Sequence, residues 1–233
     1  MVTQVPATTR LTIDVVSDVV CPWCVIGLRG LRMALDRIDG VDATIRLHPF
    51  ELNPAMGPAG QDIGEHVAEK YGATPEQSAG TRAMIRARAA EVGFTMSDAP
   101  GGRIYNSFDS HRLLDWARDQ GGADAAMALK DALFDAYFTD RRDIGDHAVL
   151  VAAVAAAGLD PVAAGAVLAS DAYAESVRRD EARWRAEGVT AVPTFVIADK
   201  YLISGGQPAD AFERALRQIA AELGTGAAAS TTA

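Results

Sequence analysis

The order of strand-like and helix-like segments restricts the fold of this 233-residue chain more than any other feature of its sequence. Leu11–Ser17 and Ala43–His48 alternate apolar with polar residues, as strands with one buried face do. Between them, over about Pro22–Asp39, apolar residues recur at helical spacing. A strand, a helix and a strand in this order favour two parallel strands joined by a right-handed crossover.

The middle of the chain has a different character. From Ile63 to Glu187 the patterns are almost only helical, and they predict five or six helices that can pack as a bundle. Thr74–Gln77, for example, combines an N-cap threonine, a first-turn proline and a capping-box glutamine. Strand patterns return at Thr194–Ala198 and Tyr201–Ser204, and Pro208 starts a last amphipathic helix. An α/β sheet interrupted by an all-helical insertion explains this order better than two successive domains.

Composition and charge exclude several classes of partner. The chain has 49% hydrophobic and 23% charged residues, which are ordinary values for a globular protein, and a net charge of −9. That acidic balance argues against sequence-independent binding to nucleic acid. The longest apolar stretch, Ala148–Leu159, is about half the length of a membrane span, and Met1–Arg10 lacks the features of a secretory signal. We therefore expect a soluble cytoplasmic protein that binds neither nucleic acid nor membranes.

The only two cysteines, Cys21 and Cys24, lie three positions apart, between the first strand and the first helix. At a helix start Cys21 would face unpaired N–H groups and the positive end of the helix dipole, which favour thiolate over thiol. A thiolate attacks a disulfide sulfur, and a second cysteine one turn further on can resolve the mixed disulfide. Cys21 is thus the candidate nucleophile and Cys24 the buried resolving thiol.

Three other interpretations of the cysteine pair are weaker. Chance places two cysteines of a chain this long at this spacing about one time in a hundred, which argues against unrelated core residues. A structural zinc site needs four ligands, but there is no second cysteine pair and the histidines are scattered: His48, His66, His111 and His147. A structural disulfide would close only a tiny loop and is uncommon in a reducing compartment. We therefore expect redox chemistry and no metal.

A second motif, Val189–Phe195, contains a proline at the start of a predicted strand, where its missing N–H is tolerated. Cys-Pro-Trp-Cys after a first strand and Val-Pro-Thr-Phe before a late strand together resemble the thioredoxin-fold proteins of the DsbA superfamily. The resemblance implies that Pro193 is cis and lies beside the dithiol.

Five segments in order, covering about Leu11–Ala220, are similar to the FrnE-like branch of that superfamily. They are DVVCPWCVIG at 18–27, HPFELNP at 48–54, NSFDSHRLLDWA at 106–117, GVTAVPTFVI at 188–197 and SGGQP at 204–208. Members of this branch are cytoplasmic, DsbA-like proteins with a helical insertion. The branch is related to 2-hydroxychromene-2-carboxylate isomerases and kappa-class glutathione transferases.

The resemblance implies a thiol–disulfide oxidoreductase or isomerase that acts on disulfides or dithiols of client proteins, with no tightly bound cofactor and with glutathione as a candidate redox partner. It assigns the dithiol role to Cys21 and Cys24. It also implies that four further residues shape the substrate site: Pro22, Trp23, Val192 and Pro193. Pro22 and Trp23 lie between the cysteines, where such residues tune the reduction potential of the dithiol. The backbone of Val192 would pair with an extended client segment.

Three polar residues are weaker candidates. Asp18, three residues before Cys21, is either a carboxylate that influences the thiols or a loop cap. Glu51 is a candidate for burial near the dithiol. His111 is a candidate titrating group near the site, although a satisfied structural histidine is the commoner case.

The predicted domains are a discontinuous thioredoxin-like domain, residues 11–58 plus 187–224, and a helical insertion domain, 59–186. Residues 1–10 and 225–233 are predicted to be flexible tails, because the carboxyl-terminal run is small and polar.

Two rival functions stay open at this point. One is a glutathione-dependent isomerase or transferase acting on a small aromatic molecule; those relatives carry a serine where this chain has Cys21, so the complete pair argues against it. The other is a non-catalytic chaperone-like or redox-sensing module, for which the sequence gives no positive sign. The sequence does not fix the reduction potential, the physiological substrate, the electron donor or the oligomeric state.

Overall fold

A computed structural model describes residues 8–230, and their side chains as far as Gly224. The strands are β1 Thr9–Ser17, β2 Val41–Pro49, β3 Gln61–Asp62, β4 Arg103–Ile104, β5 Thr194–Ile197 and β6 Tyr201–Ser204. The helices are α1 Pro22–Leu35, α2 Ile63–Tyr71, α3 Pro75–Glu91, α4 Phe108–Phe134, α5 His147–Ala156, α6 Pro161–Leu168, α7 Ala174–Ala186 and α8 Ala209–Ser230. A π-helical turn, Asp135–Thr139, follows α4 directly.

Four strands form the main sheet in the order β2-β1-β5-β6. Strand β1 is parallel to β2, as the predicted crossover through α1 requires, and antiparallel to β5; β5 and β6 form a hairpin. The predicted fold class is therefore confirmed: an α/β thioredoxin fold with a helical insertion between β2 and β5.

The sheet separates two apolar regions. Val15 and Phe195 lie opposite each other in the β1–β5 register, and the Phe195 ring packs edge-on against Phe212 of α8 at 4.8 Å. Residues on the other face of the sheet, such as Val16, pack with Trp184 of α7 in a smaller cluster. The first strand is thus covered on both faces, which explains why the consecutive residues Val15 and Val16 are both fully buried.

The helical insertion differs from its prediction at two places. The apolar spacing over Arg103–Gln120 predicts a helix that stops at Gly121–Gly122. The helix begins only at Phe108, because Arg103 and Ile104 pair with Gln61 and Asp62 as a two-residue ladder. At the glycines the chain forms a kink inside α4, where Gly122 has φ 75° and ψ −161°, a conformation that is essentially restricted to glycine. The capping box at Thr74 is formed as predicted.

Two further differences concern the ends of elements. Helix α1 ends at Leu35, before the predicted Asp39, and α8 continues to Ser230, beyond the predicted start of a flexible tail at 225. The alanines after Gly224 are strong helix formers, which the sequence prediction underweighted. Of the predicted tails, residues 1–7 and 231–233 lie outside the described residues.

The insertion is packed onto the sheet domain and not merely attached to it. One hydrophobic cluster includes Leu28 and Leu31 of α1 together with Leu129 and Leu133 of α4. The predicted domain boundaries, 11–58 plus 187–224 and 59–186, stay a prediction. Between residues 8 and 230, no helix combines the length and the hydrophobicity that crossing a membrane requires.

Candidate active site

Cys21 occupies the N-cap position of α1. Its backbone is extended, with φ −90° and ψ 113°, and Pro22 follows as the first helical residue, where the missing N–H of proline leaves no bond unmade. The side chain is 3% exposed, and its thiol donates a hydrogen bond over 3.6 Å to the carbonyl oxygen of Val192. The thiol therefore lies at the helix start and against the loop that leads into β5.

Cys24 lies one helical turn further on and is more deeply buried, with 1% of its surface exposed. Both cysteines are free thiols. Burial raises the pKa of Cys24 well above its ordinary value, and the neighbouring Cys21 thiol raises it further. A hydrogen bond from the backbone N–H of Asp18 opposes these effects. Cys24 is thus held as a protonated thiol in the reduced protein.

The Val192–Pro193 peptide bond is cis, as the family resemblance implied. Helix α1 can approach this bond because Gly27 has no side chain: a Cβ there would lie 3.1 Å from the Pro193 ring and 3.0 Å from the Phe195 ring. The local sequence therefore brings the first turns of α1 and the proline loop into direct packing.

The segment Ser204–Pro208 lies against the other side of the Cys-Pro-Trp-Cys turn. A Cβ on Gly206 would come within 2.9 Å of the Trp23 carbonyl oxygen and 3.1 Å of the Trp23 ring. Trp23 is partly buried under this loop. The four predicted substrate-site residues, Pro22, Trp23, Val192 and Pro193, are therefore grouped around the dithiol; their role in binding stays a prediction.

Asp18 is fully buried directly behind the dithiol. Its carboxylate accepts hydrogen bonds from the backbone N–H groups of Val20 at 3.3 Å and Leu52 at 2.7 Å. Burial alone would raise its pKa, but the contact with His111 and the hydrogen bonds from Leu52 and Ser107 lower it below the ordinary value. Asp18 is therefore held as a carboxylate inside the protein.

His111, in the first turns of α4, faces this carboxylate. The ring is 2% exposed, and its Nε2 atom lies 3.4 Å from Oδ1 of Asp18. That separation is longer than a well-formed hydrogen bond, which leaves Nε2 without a hydrogen-bond partner among the described residues. The structure thus brings together two of the three weaker candidates.

Glu51 is also buried but belongs to a separate ion-pair group. It pairs with Arg178, and its backbone N–H donates to Glu181 at 3.0 Å. Burial raises the pKa of Glu51, and Arg178 lowers it. Arg178 and Glu181 both lie on α7, and no hydrogen bond joins Glu51 to either cysteine among the described residues.

Lys130 is a site residue that the sequence reasoning missed. Its side chain is 1% exposed, and burial lowers its pKa below the ordinary value of lysine, although the nearby Cys24, Asp18 and Cys21 oppose this shift. A signal was available, because Lys130 follows Ala126 and precedes Phe134 at helical spacing, in the middle of an apolar stripe.

A second buried polar cluster lies under α7, away from the dithiol. Asp14, on β1, is 1% exposed and accepts two hydrogen bonds from Arg46 and one from His48, each 2.7 Å long. The other ring nitrogen of His48 lies 2.7 Å from Asp180. This cluster joins the sheet to α7. Over the described residues, no group of three or more histidine, cysteine and acidic side chains is arranged to hold a metal ion.

Comparisons with known proteins agree with this geometry. The DSBA-like thioredoxin domain family matches residues 12–217. A structure described as a probable DsbA oxidoreductase, from Streptomyces coelicolor, is 36% identical, with 89% of each chain covered and a TM-score of 0.81.

Two more distant structures share the fold. A 2-hydroxychromene-2-carboxylate isomerase is 17% identical, with 92% of this chain and 98% of that chain covered and a TM-score of 0.65. The cytosolic disulfide reductase DsbM from Pseudomonas aeruginosa, solved with GSH, is 18% identical, with 89% and 98% covered and a TM-score of 0.59.

Proposed function

This chain belongs to the family of DsbA-like thioredoxin domains, and on that premise we propose that it is a thiol–disulfide oxidoreductase or isomerase acting through Cys21 and Cys24. Cys21 is the nucleophile and Cys24 the resolving thiol. The clients are protein disulfides or dithiols, and the compartment is the cytoplasm. The finer assignment to the FrnE-like branch is part of the proposal.

One observation carries the proposal: the thiol of Cys21 lies at the start of α1 and 3.6 Å from the carbonyl oxygen of Val192, beside Pro193. An extended client segment that pairs with the backbone of Val192 would place its disulfide against this sulfur. Cys24 lies one turn further into the helix, close to Cys21, and is slightly less exposed, 1% against 3%. The position of Cys21 at the N-cap and against the proline loop, and not its exposure, supports the division of roles.

The exchange takes place in two displacements. The Cys21 thiolate attacks one sulfur of a client disulfide, a Cys21–client bond forms, and the other client sulfur leaves as a thiolate. The Cys24 thiolate then attacks Cys21, and the second client sulfur leaves. Two electrons pass from the protein dithiol to the client disulfide, and the protons of the two protein thiols end on the two client thiols. The reverse sequence oxidises a client dithiol.

Trapping the mixed disulfide tests this assignment. The Cys24→Ser variant, mixed with a disulfide-containing peptide, should accumulate a stable covalent adduct at Cys21 that mass spectrometry detects. The Cys21→Ser variant is the matched control and should form far less adduct, because the raised pKa of Cys24 leaves little of it as the reactive thiolate. Absence of an adduct in Cys24→Ser, with the native protein also inactive in exchange, would overturn the proposal.

The second candidate is a glutathione-dependent isomerase or transferase, and the structures solved with GSH or described as an isomerase favour keeping it. The complete cysteine pair argues against it. Glutathione binding that persists when both cysteines are replaced by serine, measured by calorimetry, would favour this candidate; binding that is lost favours glutathione as a redox partner only.

A further inference from the structure

A cleft of about 520 Å³ lies on the face of the sheet that α7 covers, opposite the face that packs against α8. Its volume is within the range of sites that bind small molecules. Its walls come from three strands of the sheet, β1, β2 and β5, and from α4 and α7. Neither Cys21 nor Cys24 is among the described residues that line it. The cleft is therefore separate from the site of the proposed exchange reaction.

Three arginines from different elements meet at this cleft. Arg46 comes from β2, Arg118 from α4 and Arg183 from α7, and their side chains are 47%, 42% and 52% exposed. Residues so far apart in the sequence are not neighbours through helix or strand spacing. The tertiary fold thus gathers three guanidinium groups around one cavity, in a chain whose net charge is −9.

Arg46 is held in a fixed orientation. Its Nε and Nη2 atoms donate hydrogen bonds of 2.7 Å to the two carboxylate oxygens of Asp14, which is 1% exposed. One of these oxygens also accepts a 2.7 Å hydrogen bond from His48. The Nη1 atom of Arg46 donates to no described residue. A molecule in the cleft would therefore find free N–H groups of Arg46, whereas the Asp14 carboxylate is already occupied.

Arg183 and Arg118 also keep donors that no described residue uses. Arg183 lies 3.3 and 3.8 Å from two carboxylates of α7, but no hydrogen bond joins it to a described residue. Its guanidinium stacks 4.4 Å from the centre of the Trp184 ring. Arg118 pairs with Asp115 through one Nη atom only. The unused hydrogen-bonding groups of the three arginines are thus all donors, which suit the oxygens of an anion.

Two further carboxylates stand at the rim of the cleft. Glu187 and Asp199 are 52% and 83% exposed, and their ion pairs with arginines of the cleft are 3.3 and 3.8 Å long. Exposed ion pairs of this kind are weak, so both carboxylates can turn towards solvent at little cost. The groups at the rim therefore do not prevent an anion from reaching the arginines.

We propose that this cleft binds a small anion that carries phosphate or carboxylate groups, through Arg46, Arg118 and Arg183. A guanidinium donates paired hydrogen bonds to either kind of oxyanion. The three arginines belong to the sheet and to two helices of the insertion, so the bound anion connects these elements and stabilises the folded protein. The inference does not depend on the proposed function.

Titration calorimetry with inorganic pyrophosphate and, separately, with citrate tests the proposal. The native protein should bind one molecule of either probe, and the stronger of the two identifies the anionic group that the site prefers. Arg118→Gln and Arg183→Gln should each weaken binding by about tenfold, because each removes charged hydrogen bonds. Arg88→Gln is the matched control: Arg88 is 53% exposed on α3, outside the cleft, and its replacement should leave the affinity unchanged.

Two more variants separate this site from a folding defect and from the dithiol. Asp199→Asn removes a rim carboxylate 3.8 Å from Arg46 and should tighten binding by about two- to fivefold, a gain that a folding defect does not produce. Replacing both Cys21 and Cys24 by serine should leave the affinity unchanged, since neither lines the cleft.

Three results would contradict the proposal. The native protein may bind neither probe at millimolar concentration. Arg88→Gln may weaken binding as much as Arg183→Gln does, which would indicate an ion attracted by exposed arginines in general. Binding may be lost in the variant without cysteines, which would place the anion at the dithiol. Failure of thiol–disulfide exchange with anion binding retained would refute the proposed function alone.

Discussion

Replacing Asp14 by Asn removes the buried carboxylate that joins β1 to Arg46 and His48. Burial alone would raise the pKa of Asp14, but the hydrogen bonds from His48 and Arg46 outweigh it and lower the pKa from 3.8 to about 2. That difference corresponds to about 2.4 kcal/mol of stability for the folded state. We therefore expect Asp14→Asn to lower the free energy of unfolding at neutral pH by about 2 kcal/mol.

The contribution of Asp14 to the free energy of unfolding should depend on pH. A carboxylate whose pKa is lowered by folding contributes its full stability above pH 3.8, and the contribution is lost as the pH falls through about 2. Urea unfolding of the native protein and of Asp14→Asn should therefore give free energies that differ by about 2 kcal/mol above pH 5 and converge towards pH 2.

Asp42→Asn is the matched control, because its carboxylate lies on the adjacent strand but is 65% exposed, 3.8 Å from an arginine that is 90% exposed. It should change stability by less than about 0.5 kcal/mol. A free-energy difference between the native protein and Asp14→Asn that stays constant from pH 5 to pH 2 would refute the electrostatic reasoning.

Three further changes should have measurable effects. Burial lowers the pKa of His48, but its hydrogen bonds with Asp14 and Asp180 raise it above 6.5 overall. The stability that His48→Gln removes should therefore be largest below pH 6.5 and should disappear as the pH rises through the higher pKa of the folded state. A difference in unfolding free energy that grows with pH would contradict this. Gly206→Ala places a Cβ 2.9 Å from the Trp23 carbonyl, so we expect about 1–3 kcal/mol of destabilisation in urea and a slower reaction of the dithiol with a disulfide-containing peptide, whereas native values would show that the loop shifts without cost. Thr74→Ala removes an exposed N-cap and should cost about 1 kcal/mol by thermal unfolding, with the rate of thiol–disulfide exchange unaltered.

The predictions that succeeded depend on neighbouring residues in the chain. The position of Cys21 at a helix start follows from the strand before it and from Pro22 after it. The capping box at Thr74 was likewise predictable, because its pattern lies within four consecutive residues. The cis bond before Pro193 came from the family resemblance, and no local rule would have given it.

The features that the sequence did not reveal depend on distant segments. The ladder between Gln61 and Arg103 is only two residues long on each side, too short for an alternation pattern. The burial of Asp18 against His111 joins positions far apart in the chain, and each residue alone also fits a loop cap or a structural histidine. The burial of Lys130 is indicated only by its place in an apolar stripe between Ala126 and Phe134, and that local signal is weak because a lysine on a helix is exposed in most proteins.

The kink at Gly121–Gly122 determines which residues of α4 can take part in the chemistry. His111 and Lys130 are 19 positions apart and would be separated by about 28 Å on a straight helix, yet both act on Asp18. The chain can therefore bring both ends of one helix to the same carboxylate only because it turns back at the two glycines. Gly122 is exposed, and a Cβ there would meet no neighbouring atom, so only its backbone conformation excludes other residues. Its replacement should therefore impair the redox activity as well as the stability.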